Sequence, residues 1–180
     1  MVLIIAIVLI IICLLVFISI SNQIKKVTIK IDEANSLIDI ALTKRYDVIN
    51  SMVEVVKGYT KHEKEVLFEI VKLRKNMTIN ELVEENNKLT DNYDKVNLTV
   101  ENYPELKSSA NFLKLQETIE EVEDLLLASR RMYNSNVSIY NQMISVFPNT
   151  IVSKIFGYKK KDFFTAKEAA TKDLKIDINM

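Results

Sequence analysis

His62 is the only histidine in the chain, and this limits most side-chain chemistry. A histidine-based hydrolytic triad would have to use it, with a serine or Cys13 as nucleophile. Cys13 lies inside an apolar run, and the sequence has no G-x-S-x-G elbow. His62 follows Lys61 near an expected helix start and reads as an exposed capping-turn residue. A metal site built on several histidines is excluded, and a single cysteine excludes both a thiolate cluster and an intramolecular disulfide. Carboxylates remain. Glu120 shares a helix face with Glu123 or Asp124, next to Glu121, but a solvated acidic face is the simpler reading. A di-metal bundle would use Glu-x-x-His pairs, and none occurs. Two isolated glycines give no phosphate-cradling loop. The sequence therefore predicts no catalytic residues, no metal and no cofactor.

Two groups of residues remain as candidate contact sites. Arg45 falls on an otherwise apolar helix face, and Tyr133-Asn134 and Tyr140-Asn141 repeat one heptad apart on another helix. Polar groups at core-facing positions set register and pairing at some cost in stability. The expected polar seam is Arg45, Asn102, Asn134 and Asn141, with Arg45 bonded to an acidic or amide partner among Asn134, Asn141 and the Glu101-Asn102 corner. The functional alternative is a polar groove around Arg45 that takes a small ligand or a partner helix. The second group is Lys159, Lys160 and Lys161 with Phe163 and Phe164, a candidate membrane-surface contact. Each basic residue near an anionic surface contributes about 1 kcal/mol, and aromatic rings insert at the interface. Phenylalanines folded back onto the protein are the alternative there.

The element that places these groups is the N-terminal run VLIIAIVLIIICLLVFISI, residues 2–20, interrupted only by Ser19. As a helix it covers roughly 28 Å, close to the hydrocarbon thickness of a bilayer. It is apolar on every face, unlike a buried helix of a soluble protein. It has no basic n-region and no small-residue cleavage site, so the reading is an anchor rather than a signal peptide. Ile11 and Ile12 precede Cys13 where a lipoprotein signal would carry small residues. Lys25, Lys26 and Lys30 flank only the C-terminal end, which predicts the N-terminus outside and the body in the cytoplasm.

Beyond the span, few breakers (two glycines, Gly58 and Gly157, and two prolines, Pro104 and Pro148) predict long helices. Ile38, Leu42, Ile49, Met52 and Val56 mark a first helix running on from the span to about Lys57, with Gly58 ending or kinking it. Thr60 with Glu63 reads as a capping box for a second helix, whose apolar side is Val66, Leu67, Ile70, Val71 and Leu73. Thr78 with Glu81 opens a third, to about Asn102, with Leu82, Leu89, Val96 and Val100 buried. Pro104 stops it. The longest helix runs from about Ala110 to Val146 on Phe112, Leu115, Ile119, Val122, Leu126, Tyr133, Val137, Tyr140 and Ile144. The expected architecture is all-α: a transmembrane helix (2–20), an antiparallel up-down four-helix bundle (21–148) and an irregular C-terminal tail (149–180). In that topology the last long helix returns toward the membrane, and the segment after Pro148 lies near the bilayer surface. If Gly58 only kinks the first helix, the body reduces to three longer helices. Equal numbers of acidic and basic residues, 24 each and interspersed, argue against nucleic-acid binding.

Three blocks of sequence carry a family resemblance. Residues 38–49 (IDIALTKRYDVI) and 54–63 (EVVKGYTKHE) closely resemble the first conserved block of the LemA family. Residues 101–107 (ENYPELK) with 112–116 look like the second. Residues 130–141 (RRMYNSNVSIYN) with Phe147-Pro148 look like the third. The blocks follow the family order over nearly the whole chain, after the expected N-terminal span. Ala41 stands where members commonly have Gln, and Asn50 where they have Pro, which predicts a straighter first helix here. The resemblance implies a bacterial, helical, membrane-anchored protein of a family most of whose members have no assigned biochemical activity. Some relatives act in organising magnetosome membranes.

The functional expectation is a non-enzymatic, single-pass protein of the cell membrane, a helical scaffold or adaptor. Its partners would be the lipid bilayer and membrane or envelope proteins. Homo-oligomerisation is compatible with this reading but has no motif to direct it. The rival from another class is a ligand-binding or signalling module with a pocket around Arg45. A hydrolase is a weaker third, with no recognisable catalytic set.

Overall fold

A computed structural model describes residues 1–59, 68–74 and 77–165. Among these the chain is helical, with α1 at Val2–Tyr59, α2 at Ile79–Val100, α3 at Pro104–Lys107, α4 at Ala110–Ser145 and α5 at Asn149–Phe156. The chain divides into two compact units. One comprises Met1–Leu42 with Glu121–Phe163, the other Thr43–Glu120 with Phe164–Met180.

The first unit contains the apolar run. It is part of α1, the one helix among the described residues long and apolar enough to cross a membrane. Its side chains are exposed from Met1 to Ile18, apart from Phe17, which is half-covered. Packing begins at Ile20 and Ile24 and continues through Ile31, Ala34 and Ile38 at helical spacing. The partner side of this unit is α4, whose Val122, Leu126, Tyr133, Val137, Tyr140 and Ile144 are buried. Direction follows from two contacts: Asn136 Nδ2 donates to Lys30 O at 3.2 Å, and the Phe156 ring lies 5.6 Å from that of Phe17. As α1 leaves the apolar run, α4 therefore runs back toward it.

Pro148 stands just ahead of α5, and Gly157 ends it in the left-handed region with φ 68°, a conformation that costs an L side chain about 1–2 kcal/mol. The tail after Pro148 thus opens with a helix, where an irregular segment was expected. Ile151, Val152, Ile155 and Phe156 at helical spacing, closed by a glycine, carried that signal in the sequence.

The second unit holds the rest of α1, where Leu42's stripe continues as Ile49, Met52, Val53 and Val56. The helix runs unbroken through Asn50 and past Gly58 to Tyr59. The Thr60–Glu63 capping box and His62 lie outside the described residues. Residues 68–74, expected in the second helix, are not helical, and Ile70 is 77% exposed. Among the described residues the long helices are therefore α1, α2 and α4, where the expected bundle had four. The cause is tertiary. Two backbone N–H groups in 68–74 donate to α2 side chains, so the donors a helix would satisfy internally are satisfied by a neighbour.

The Thr78 capping box forms as expected. Its hydroxyl accepts from Glu81 N–H at 3.3 Å, and Glu81 Oε2 accepts from Thr78 N–H at 2.7 Å. The Thr78 N–H and the Thr78 hydroxyl, both donating to Glu81 Oε2, with a further bond from Arg74, hold the Glu81 carboxyl below its ordinary range.

Candidate functional site

In the second unit α2 carries a polar seam inside its apolar stripe. Leu82, Leu89, Val96 and Val100 are buried as their spacing requires, and so are Glu85, Asn86 and Asn92. Arg45, only 3% exposed, meets this seam from α1. Its Nη1 donates to Asn86 Oδ1 at 2.7 Å, to Asn86 O at 3.0 Å and to Thr90 Oγ1 at 3.1 Å. Thr90 in turn donates to Asn86 O, so Asn86 is the acceptor hub for one buried cation. Arg45 thus bonds to Asn86 and Thr90, two residues that the sequence reading did not name for it.

The same helix face pins the irregular segment. Asn92 Oδ1 accepts from Glu69 N–H at 2.7 Å while Asn92 Nδ2 donates to Glu69 O at 3.0 Å. Two turns earlier, Glu85 Oε2 accepts from Lys72 N–H at 2.8 Å. Seven helical residues rise about 10 Å, and three extended residues span about the same distance. That equality lets positions 92 and 85 on α2 meet positions 69 and 72 of a strap running the other way. Burial pushes the Glu85 carboxyl up. The hydrogen bond and charge of Lys88, with the Lys72 N–H, outweigh it and hold the group below its ordinary value.

The first unit repeats the amide clamp. Asn141 Nδ2 donates to Lys161 O and Asn141 Oδ1 accepts from Lys161 N–H, both at 2.9 Å. Tyr133 Oη donates to Asp162 O at 3.1 Å. Burial first, then the charges of Asp162 and Asp32, push the Tyr133 hydroxyl up, so it keeps the proton it donates. Lys161 lies over the Tyr140 ring at 5.9 Å. The basic run is thus fixed on α4 by Tyr133, Tyr140 and Asn141, with Lys159 and Lys160 exposed.

The candidate residues therefore separate. Arg45 and Asn102 belong to the second unit, where Asn102 is exposed just beyond α2, well past Asn86. Asn134 is half-buried on α4, and Asn141 clamps Lys161, both in the first unit. Of the aromatic pair, Phe163 is 42% exposed, whereas Phe164 is 3% exposed and takes no part in an outer contact. Phe164 thus fits the reading in which a phenylalanine folds back onto the protein, while Phe163 stays on the outer surface. A cavity of about 400 Å³ in the second unit is lined by Glu54, Val55, Gly58, Tyr59, Ser109 and Asn111. Arg45 is not among its walls. Glu120, Glu121 and Asp124 are exposed and Glu123 is half-buried. Among the described residues no three His, Cys, Asp or Glu side chains are arranged to hold a metal ion.

Glu85, Asn86 and Asn92 were findable. Steps of three or four from Leu82 land on Glu85 and Asn86, and a step of three from Leu89 lands on Asn92. Polar residues at stripe positions mark buried hydrogen bonds.

Comparison with known proteins places this architecture. Protein LemA of Metamycoplasma hominis is 26% identical over 164 residues, covering 88% of this chain and 75% of that protein. Magnetosome protein MamQ 2 of Paramagnetospirillum magneticum is 31% identical over 70 residues, 39% of this chain and 26% of that protein. Magnetosome protein MamQ of Magnetospirillum gryphiswaldense is 27% identical over a stretch of the same length. The match to the LemA family itself extends over residues 34–178, and the chain belongs to that family.

Proposed function

We propose that this protein is a non-enzymatic, single-pass scaffold of the bacterial cell membrane. Its anchor is Val2–Ile20, its N-terminus is outside, and its helical body in the cytoplasm presents surfaces to membrane or envelope proteins. The observation that carries the reading is the apolar run itself, exposed along its length and continuous with a packed helical body. Lys25 and Lys26, exposed just beyond the run, support the orientation. The buried polar groups support a structural role, because the hydrogen bonds of Arg45, Asn92 and Asn141 run to the protein's own residues. Similarity to two magnetosome proteins fits an architectural role. Lys159, Lys160 and Phe163 are the residues of the tail that meet the headgroups.

The test is in-cell crosslinking from exposed positions on α2 and α4, with mass spectrometry of what is captured. Recovery of one defined membrane protein, repeated from both helices, supports the scaffold. Thermal stabilisation of the purified protein by a small metabolite, with nothing captured, would replace it with the ligand-binding reading.

A further inference from the structure

Five large apolar residues are exposed within residues 146–156: Val146, Phe147, Ile151, Ile155 and Phe156, with exposures between 49% and 79%. Scattered exposed apolar residues need no explanation, but five in one short segment do. On α5 the inner side is Val152 and Ser153, both buried. Ile151 and Ile155, one turn apart, make an outer apolar edge, and Phe147 in the turn just before the helix is 79% exposed. The neighbour of this edge is known. The Phe156 ring packs on Phe17, the half-covered residue in the otherwise exposed run. Phe17 precedes Ile20 by three residues, about 4.5 Å along the helix toward the apolar end. Helix α5 therefore lies at the depth of the last turn of the span, and its apolar edge continues the span's own surface. The exposed cations Lys154, Lys159 and Lys160 accompany it, as Lys25 and Lys26 accompany the span.

We infer that α5 is an interfacial helix, seated at the headgroup–acyl boundary of the bilayer on Phe147, Ile151 and Ile155, with lysines on anionic headgroups. This rests on the reading of residues 2–20 as a span. It adds a second membrane contact that holds the body against the bilayer rather than leaving it on a single pivot. The occupant is lipid because Phe156 of the same helix packs on Phe17 of the apolar run, at a depth inside the apolar zone.

The test uses the full chain with Cys13→Ala, reconstituted in vesicles of phosphatidylcholine and phosphatidylglycerol. Single cysteines are introduced at Leu9, Ser135, Ile151 and Ile155, all exposed, and labelled with an environment-sensitive fluorophore. Ser135 neighbours Asn136, which bonds to Lys30 beyond the span, so it reports the aqueous side. Labels at 151 and 155 are expected to lose about half their emission to lipids carrying a shallow nitroxide, with the 135 label unaffected. Quenching at 9 by lipids carrying a deep nitroxide, without quenching at 151 and 155 by the shallow one, overturns the interfacial helix and leaves the span intact. Quenching at none of the three overturns both. Blue-shifted but unquenched labels at 151 and 155, with crosslinked dimers, would show a protein covering the patch and also overturn the inference.

Discussion

Arg45 shows how a single polar side chain is accommodated in a helical core. Its cation is out of water, and Asn86 and Thr90 replace the lost hydration. Removing one partner leaves the other desolvated and unbonded, which costs more than replacing both. Arg45→Leu should therefore lower unfolding stability by about 3 kcal/mol, with Asn86 Oδ1 stranded. Arg45→Leu with Asn86→Leu should recover much of that loss, because no amide oxygen is stranded and the Thr90 hydroxyl keeps its bond to the residue-86 carbonyl. Urea unfolding of the full chain in mild detergent, followed by circular dichroism, measures both. A double variant no more stable than the single one would show that Arg45 acts through some other contact.

At the scale of elements, the amide clamps do what secondary structure does elsewhere. Asn92 and Asn141 each offer one donor and one acceptor to a backbone, so an irregular segment is held to a helix without a sheet. The strap at 68–74 depends further on an ionised Glu85. Its folded carboxyl lies below the ordinary value, so the stabilisation is complete above that value. It is lost as pH falls through the folded value, because the unfolded chain binds the proton first. Acidification through and below the usual carboxylate range should thus erode exchange protection at the Lys72 amide. In Glu85→Gln that pH dependence should be absent, with protection lower throughout. Hydrogen exchange read at Lys72 checks it, and an unchanged acid slope in the variant would assign the effect to Glu81 or another carboxylate.

For the whole molecule, the proposed topology makes two demands. The protein should remain in the membrane pellet through an alkaline carbonate wash, since the exposed run has no aqueous alternative. Trypsin should cut after the exposed Lys159 and Lys160 in inverted vesicles and not in spheroplasts. Cleavage in spheroplasts alone would reverse the orientation, and release by carbonate would remove the anchor. The balance of 24 acidic and 24 basic residues leaves the lysines next to the span as the main determinant of orientation.

The apolar N-terminal helix, the all-helical class and the stripes of α1, α2 and α4 were legible in the sequence because each follows from local periodicity. The apolar run needs no partner to be recognised, and Thr78 with Glu81 makes its capping box from neighbouring residues. The partner of Arg45, the unfurled strap at 68–74 and the burial of Phe164 were not legible. Each depends on which backbone or side chain comes from far along the chain to the same place. Within 68–74, where the sequence pattern was helical, Asn92 and Glu85 take two of the amide protons instead. The depth of α5 belongs to the same class. Periodicity makes it a helix, but only the Phe156–Phe17 contact puts that helix beside the end of the apolar run. Local propensity sets which segments can be helical, while long-range hydrogen bonds and ring contacts determine which are and where they sit.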